Sequence, residues 1–274
     1  MNNEQAVTEN IIRAIEKGTA DFIMPWHKAL VPINALTKKP YRGMNTLSLW
    51  ATSINEGYKS SEWATYQSWK SAERQVRKGQ KGTRIFFFSR IKVEGEPEDE
   101  ELSPNFGFRR FYSVFNEEQL EATDEIQPVV DSPVIQTTHA SGQVLNIANS
   151  VNAKVVIEGE RAAYSPSRDY VKMPDRDKFF DTRYASADVG FAATLAHELT
   201  HWTGHKSRLD RNASLDKKSS SYAFEELIAE LGSAFICSEL DIQYNGLDGH
   251  AGYIESWLSL LEDDNKAIFR ASSE

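Results

Sequence analysis

The 274-residue chain has little cysteine and no long apolar run. Its single cysteine, Cys237, excludes an internal disulfide, a thiolate metal cluster and a zinc finger built on cysteine pairs. A transmembrane helix is not expected because no run of eighteen apolar residues occurs. The first twenty residues are polar, so a signal peptide is not expected either. We therefore expect a cytoplasmic protein that does not enter a membrane, and the sequence leaves its oligomeric state open.

The net charge of −9 is unevenly distributed along the chain. Residues 1–92 hold 15 Lys and Arg against 7 Asp and Glu, whereas residues 93–101 hold six acids and no base. A basic N-terminal third on an acidic chain predicts a local anionic partner, most simply nucleic acid. Solvated helix faces are the alternative explanation of the same charges.

The N-terminal part reads as helices followed by a β-hairpin. Apolar spacing predicts a helix over residues 4–17, a second that ends near Gly57, and a third over 65–76. Residues 83–93 and 106–115 predict two antiparallel strands joined across the acidic segment.

Residues 59–92 combine positive charge with aromatic side chains, and single-stranded nucleic acid needs both. This segment holds nine Lys and Arg against two Glu. Trp63 is predicted to contact bases, and one or more of the phenylalanines at 86–88 is expected in the core because strand residues alternate between faces. The side chains predicted to line a phosphate groove are Lys70, Arg74, Arg77, Lys78, Lys81 and Arg84. Duplex DNA is disfavoured because no helix-turn-helix pattern is evident.

A His-Glu-x-x-His motif at residues 197–201 is the most specific signal in the chain. It lies in a predicted helix over 187–203, with Asp188 near its N-cap and Gly204 as its stop. His197 and His201 share one helix face, so both imidazoles can reach one metal ion, and Glu198 is placed to act as general base. The motif predicts a metal site.

The motif does not specify the third ligand, and Cys237, His205 and downstream acids are the candidates. His205 is disfavoured because histidines at i, i+4 and i+8 lie along a line. A predicted helix over 222–240 resembles the downstream helix of gluzincin proteases, so we assign Glu226 as ligand and Glu230 as the carboxylate behind a ligating histidine. An exchange of these two roles stays open, and Glu225 is expected on a solvated helix face.

Three short predicted strands precede the motif, at residues 154–158, 162–165 and 169–173. They predict a small sheet whose edge strand lies beside the metal helix and could bind an extended peptide. Tyr184, Tyr222 and Arg208 are open alternatives for the side chain that polarises a substrate carbonyl.

Five stretches of the chain together resemble the ArdC antirestriction proteins of conjugative plasmids, a group related to N-terminal segments of plasmid TraC primases and to phage polyvalent proteins. They are residues 41–45 (YRGMN), 63–82, 112–116 (YSVFN), 197–208 (HELTHWTGHKSR) and 222–237. The resemblance implies an N-terminal single-stranded DNA-binding domain, a C-terminal zincin-like metallopeptidase domain, and protection of incoming plasmid DNA from host restriction. Arg42 and Asn45, in the first stretch, are assigned as further DNA contacts.

Together these observations predict an α+β protein of two domains, with a small mixed DNA-binding domain at 1–125 and a zincin-like domain at 126–274. The expected cofactor is Zn²⁺, with Mn²⁺ possible, and the expected partners are single-stranded DNA and a protein substrate. The expected chemistry is peptide hydrolysis, in which the ion lowers the pKa of its water toward ~7 and Glu198 takes the proton. The first alternative is a DNA-shielding protein with a non-catalytic metal; a Mg²⁺ nuclease ranks last because its sites are rich in carboxylates.

Overall fold

The computed structural model describes residues 3–18, 30–90, 107–122, 139–180, 186–211, 219–242 and 251–274. It contains helices and two separate small sheets, as the α+β prediction requires. The elements of the first half are α1 (Asn3–Gly18), β1 (Ile33–Asn34), α2 (Met44–Glu56), β2 (Glu62–Thr65), α3 (Tyr66–Ser71), β3 (Thr83–Arg90) and β4 (Gly107–Asn116). The predicted boundary between residues 125 and 126 lies outside the described residues.

The first sheet has four strands in the order β1-β2-β4-β3, so β3 is an outer strand. Side chains of helix α2 hydrogen-bond the edge of β3 that faces away from β4. The Asn45 amide donates to the Phe86 carbonyl and accepts from the Phe86 N–H, both at 2.7 Å, and the Ser48 hydroxyl donates to the Arg84 carbonyl at 3.0 Å. These side chains satisfy donors and acceptors that an outer strand otherwise presents to other chains.

Neighbouring phenylalanines of β3 face opposite sides, as the alternation of strand residues predicts. Phe86 is buried and packs edge-on against Phe111 and Phe269. Phe87 points the other way and is 58% exposed. The side chain of Phe88 is outside the described part.

The third predicted helix is shorter than expected, because α3 ends at Ser71 rather than at residue 76. Glu73 has a left-handed backbone (φ 59°), which an α-helix cannot continue through. Beyond it, Val76 forms an isolated bridge with Leu120. Trp69 and Val76 still pack in one apolar cluster. The prediction that both are buried on the same side is therefore confirmed, although the backbone between them is not helical throughout.

The second half has a three-stranded sheet in the order β5-β7-β6 and a set of packed helices. Its elements are α4 (Ala140–Ser150), β5 (Val155–Ile157), β6 (Ala163–Ser165), β7 (Tyr170–Met173), α5 (Ala187–Thr203), α6 (Ser220–Glu239), α7 (Ala251–Asp263) and α8 (Ala267–Ala271). The three predicted strands and both predicted helices are present. The N-cap of α5 is Ser186, which accepts from the Val189 N–H, whereas Asp188 accepts from the Ser141 hydroxyl of α4.

Helix α6 connects the two halves of the chain. Its residues Leu227, Ile228 and Leu231 join one buried apolar cluster with residues of α1, α2, α7 and α8. Its Cys237 belongs to a second cluster, formed with α4, α5 and β7. The regions predicted as two domains therefore share an apolar core along this helix.

Spanning a bilayer takes about 20 mostly apolar residues. None of the helices in the described ranges meets the requirements of both length and apolar character.

Helices α5 and α6 are in close contact where Gly232 faces Thr200. A Cβ built on Gly232 would lie 2.5 Å from Thr200 Cγ2 and 3.0 Å from Thr200 Cβ, with Oγ1 closer still. Thr200 is buried and its hydroxyl donates to the Ala196 carbonyl, so it has little room to move. Glycine is therefore needed here for space.

We predict that Gly232→Ala destabilises the protein by about 1–3 kcal/mol, since the added methyl overpacks the helix contact. Gly142→Ala is the matched control, because a Cβ there meets nothing within 4 Å inside α4. That change should leave stability unchanged or raise it by up to ~1 kcal/mol. Urea unfolding followed by circular dichroism compares the two, and equal effects would contradict the prediction.

Candidate metal centre

Helix α5 brings the two histidines of the motif together. His197 and His201 stand one turn apart, with their Nε2 atoms 3.2 Å from each other. Both side chains are mostly buried, at 12% and 15% exposure.

Helix α6 supplies Glu226 as the third group. Its Oε2 lies 3.5 Å from His197 Nε2 and its Oε1 lies 3.6 Å from His201 Nε2. Two nitrogens bound tetrahedrally at zinc distances stand about 3.3 Å apart, close to the separation found here. The three predicted ligands therefore converge as a tetrahedral ion requires, and within the described residues they form the one group of this kind.

The other two candidates for third ligand lie elsewhere. Cys237 is buried among apolar side chains, where burial raises the pKa of its thiol to about 12, and it lies outside the three-donor group. His205 Nδ1 lies 2.8 Å from the Ser207 hydroxyl and outside the three-donor group.

Glu198 is held against the small sheet. Its Oε2 accepts the backbone N–H of Tyr164 in β6 at 2.7 Å. Because β6 is an outer strand, this N–H points away from β7 toward α5. The predicted placement of an edge strand beside the metal helix is confirmed, although at Tyr164 the edge is already occupied by Glu198.

The expectation of a solvated Glu225 is wrong. Glu225 is buried, and its Oε1 accepts from His201 Nδ1–H at 3.1 Å. It also accepts two bonds from Arg211, one to each oxygen, at 3.0 Å. Arg211 was not expected at the site, because it lies in the segment between the two helices, where no helical spacing links it to the histidines.

Glu230 lies behind His197 rather than in the donor group. It is fully buried on α6, and its Oε2 is 3.9 Å from His197 Nδ1. This placement is compatible with the predicted supporting role, at a distance longer than a hydrogen bond.

Carboxylates dominate the electrostatics of the site. Burial alone would lower the pKa of His201, but the nearby Glu225, Glu198 and Glu226 outweigh it and the pKa is raised. Burial likewise would raise the pKa of Glu226, yet His197, His201 and a hydrogen bond from Tyr222 hold it below its usual range. For Glu225, bonds from His201 and Arg211 outweigh burial and lower the pKa.

The three candidates for polarising a carbonyl have different surroundings. Tyr222 hydrogen-bonds Glu226, so it touches the site. Arg208 stacks on Trp202, with its guanidinium carbon 3.7 Å from the ring centroid, and is paired with Asp169, so it is engaged elsewhere. Tyr184 lies outside the described residues.

A polar cluster borders the site at the β6–β7 turn. The Tyr164 hydroxyl donates to Asp169 at 3.0 Å, and Arg208 donates to both Asp169 oxygens. Burial and the neighbouring Asp169 raise the pKa of Tyr164 to about 12.

The predicted DNA contacts divide into exposed and structural residues. Trp63 is 0% exposed, so its assignment as a base contact is wrong: its ring fills the core between α2 and the sheet. The Asn45 side-chain amide donates to the Phe86 carbonyl and accepts from the Phe86 N–H, so its assignment as a DNA contact is corrected to a structural role. Arg77 is exposed, and its guanidinium donates to the carbonyls of Leu120 and Glu118.

Arg74 also faces protein, with its Nη1 3.7 Å from Glu117 Oε1. Arg42 is exposed and lies 3.6 Å from Glu239. The other predicted groove residues are exposed: Lys70, Lys78, Lys81 and Arg84.

In the comparison with known proteins, two different family models match the two halves of the chain. A model of the N-terminal domain of the anti-restriction factor ArdC matches residues 1–115, and a zincin-like metallopeptidase model matches residues 143–274. The metal-free crystal structure of antirestriction ArdC from plasmid R388 superposes with a TM-score of 0.74 at 36% identity, covering 100% of this chain and 93% of that one. This chain belongs to the ArdC family of antirestriction proteins.

Further proteins are similar over at least 98% of this chain. The Mn(II)-bound structure of R388 ArdC gives a TM-score of 0.72 at 34% identity, covering 100% of this chain and 94% of that one. An uncharacterised protein of Sinorhizobium fredii, y4eC, is 37% identical over 279 residues, 98% of this chain and 88% of y4eC. DNA primase TraC of Escherichia coli is 34% identical over 289 residues, 98% of this chain but 19% of TraC.

We predict that Glu226→Gln weakens divalent metal binding more than Glu230→Gln does. The first change removes an anionic donor, whereas the second alters a group behind the donors, where losses are typically about 10–100-fold. Titration of each variant with Zn²⁺ against a chelating dye measures both. A larger loss for Glu230→Gln would exchange the two roles.

Proposed function

We propose that this protein is a cytoplasmic antirestriction protein that binds single-stranded DNA through its N-terminal half and carries a metal-dependent peptidase centre in its C-terminal half. Its biological role would be to protect incoming plasmid DNA. The observation that carries the peptidase proposal is the convergence of His197, His201 and Glu226 within 4.8 Å, beside Glu198.

The donor set suits Zn²⁺ or Mn²⁺. Two imidazole nitrogens and one carboxylate oxygen leave room for a further ligand, which is the pattern of catalytic rather than structural zinc sites. The Mn(II)-bound state of R388 ArdC supports a divalent ion in this family. Such an ion, when bound, supplies a Lewis acid that polarises a carbonyl and makes water more acidic.

Glu198 is the proposed general base and acid. Its bond to the Tyr164 N–H holds the carboxylate next to the histidines at a set orientation. A carboxylate has two oxygens, so Glu198 can keep this bond while the other oxygen takes a proton from water and later donates it to the leaving amine. Tyr222, through its bond to Glu226, orients that donor.

The substrate would be a protein bound alongside β6. Extended peptides commonly add to an outer strand, and β6 is the outer strand nearest α5. Since Glu198 occupies the Tyr164 N–H, a peptide at this edge would pair beyond Tyr164 or displace the carboxylate from it.

We predict that Glu198→Ala keeps the metal and loses cleavage, because general acid–base catalysis contributes typically 10²–10⁴-fold. Cleavage of denatured casein and self-cleavage measure the activity, and dye competition measures the metal. Glu262→Gln, on the exposed face of α7, is the control and should behave like the unchanged protein. Undiminished cleavage by Glu198→Ala would refute the role.

The DNA-binding proposal rests on exposed aromatic and basic side chains of the first sheet. Phe87 and Tyr112 are 58% and 40% exposed, with rings 6.5 Å apart and edge to face. Ile85 pairs with Tyr112 and Phe87 with Arg110, so Phe87, Tyr112 and the exposed Arg110 project from the same face of the β3–β4 hairpin. Aromatic rings beside cations suit stacked bases and phosphates.

Exposed cations continue along the same part of the chain. Lys70 lies on α3, Lys78 and Lys81 lie in the turn before β3, and Arg84 lies on β3 itself. Phosphate neutralisation by such groups releases counterions, so binding should weaken steeply as salt rises.

We predict that Phe87→Ala and Tyr112→Ala each weaken binding to oligothymidylate, by roughly the 1–3 kcal/mol that a stacked base contributes. Phe180→Ala removes an equally large exposed ring, 74% exposed and outside the first sheet, and should leave binding unchanged. Fluorescence anisotropy with labelled oligothymidylate, and with a duplex of equal length, provides the comparison. Equal affinity for both nucleic acids would contradict the stacking proposal.

A further inference from the structure

We propose that Arg211 is a positioning residue of the metal centre: it holds the Glu225 carboxylate, which in turn orients the imidazole of His201. This inference rests on the proposed metal centre and adds to it a group that touches none of the three donor atoms. Its starting observation is a buried chain of hydrogen bonds from Arg211 through Glu225 to His201.

Arg211 and Glu225 form a bidentate ion pair. The Arg211 Nε donates to Glu225 Oε2 and its Nη2 donates to Oε1, both at 3.0 Å. The planar guanidinium matches the two carboxylate oxygens, which fixes the plane of the carboxylate as well as its position. The side chain of Arg211 is 7% exposed, so water competes little for these bonds.

Arg211 is itself anchored to the helix that carries the histidines. Its Nη1 donates to the Thr203 hydroxyl at 2.8 Å and its Nη2 donates to the Thr200 carbonyl at 2.7 Å. Thr200 and Thr203 flank His201 on α5, whereas Glu225 lies on α6. The guanidinium therefore joins the two helices at the level of His201.

Gly204 provides the space for this arrangement. Its φ of −75° is ordinary for any residue, so backbone freedom does not explain a glycine here. A Cβ on Gly204 would lie 3.0–3.2 Å from three guanidinium atoms of Arg211. Gly204, which the sequence suggested as a helix stop, therefore lets the Arg211 guanidinium pack directly against the backbone.

The consequence for His201 is a defined tautomer and ring orientation. A carboxylate can only accept, so the His201 Nδ1 carries a proton, and in the neutral ring that binds a metal the Nε2 presents its lone pair toward His197 Nε2 and Glu226. His197 lacks an equally short support from Glu230, which is 3.9 Å from its Nδ1. Arg211 therefore acts on one of the two histidines.

Glu225 needs Arg211 because a buried carboxylate is costly without a counter-charge. With Arg211 replaced by an uncharged side chain, Glu225 would lose two charge-assisted bonds and its fixed plane. The Nδ1–H of His201 would then have a poorly placed acceptor, and the Nε2 lone pair would no longer be held in the direction of the ion.

Arg208 offers a matched control within the same segment. Like Arg211, it makes a bidentate pair with a carboxylate, here that of Asp169. It also donates to a backbone carbonyl of α5, that of Trp202. Asp169 is not one of the three donors and does not contact His201. Removing Arg208 therefore breaks an arginine–carboxylate pair of similar chemistry without touching the proposed chain.

The experiment measures Zn²⁺ and Mn²⁺ affinity of the full chain by dye competition, for Arg211→Met, Arg211→Lys, Glu225→Gln and Arg208→Met. We expect a loss of about 10–100-fold for Arg211→Met and Glu225→Gln, the range typical of groups behind metal ligands. Arg211→Lys should bind the ions little better than Arg211→Met does, since an ammonium cannot make the bidentate pair. Arg208→Met should bind both ions like the unchanged protein.

A double-mutant cycle separates positioning from general damage to the fold. If Arg211 acts through Glu225, the combined variant loses little more affinity than either single variant, because both interrupt the same chain. The metal-free proteins also provide a spectroscopic signature: the downfield Nδ1 proton of His201 should be lost in Glu225→Gln and Arg211→Met but kept in Arg208→Met. Glu225→Gln preserves side-chain shape, so it serves if Arg211→Met does not fold.

The outcomes are distinguishable. Unchanged affinity in Arg211→Met or Glu225→Gln, while Glu226→Gln loses the ion, overturns the inference and leaves the proposed centre intact. Equal losses in Arg211→Met and Arg208→Met also overturn it, since they indicate only a weakened segment. If the unchanged protein binds neither ion, the proposed metal centre fails and this inference fails with it.

Discussion

The whole candidate site depends on the close contact between α5 and α6. One helix carries both histidines and the other carries the three buried glutamates Glu225, Glu226 and Glu230, so neither helix alone forms a site. The contact is close because Gly232 lies against Thr200, and it is reinforced where the Ser233 hydroxyl donates to the Ala193 carbonyl at 2.9 Å. The register of these two helices decides which glutamate faces which histidine.

Charge balance explains why this contact suits a cation. Glu225, Glu226 and Glu230 are all buried, and the permanent positive charge of Arg211 pairs with the first of them. A buried negative charge is costly unless it is paired. A divalent ion between the histidines and Glu226 would place positive charge beside these buried carboxylates, so an acid-rich pocket and a pair of imidazoles suit the same ion.

The position of α6 also ties the candidate site to the N-terminal half. One side of the helix presents carboxylates to α5, while Leu227, Ile228 and Leu231 pack with α1 and α2. Helix α2 in turn holds the outer strand β3 through the amide of Asn45. The sheet whose exposed Phe87 and Tyr112 suit nucleic acid is therefore supported by the same helices that support the candidate metal centre.

Local patterns in the sequence determined most elements and the motif on α5. Helical spacing of apolar residues located α1, α5 and α6, and the i, i+4 rule placed His197 and His201 on one face, because both depend only on neighbours in the chain. Tertiary packing decided the rest: Trp63 fills the core, Glu225 is buried, and Arg211 joins the site from an intervening segment. These placements depend on which surfaces of distant elements pack together. Helical or strand periodicity shows which face of an element is apolar, but not which other element that face contacts.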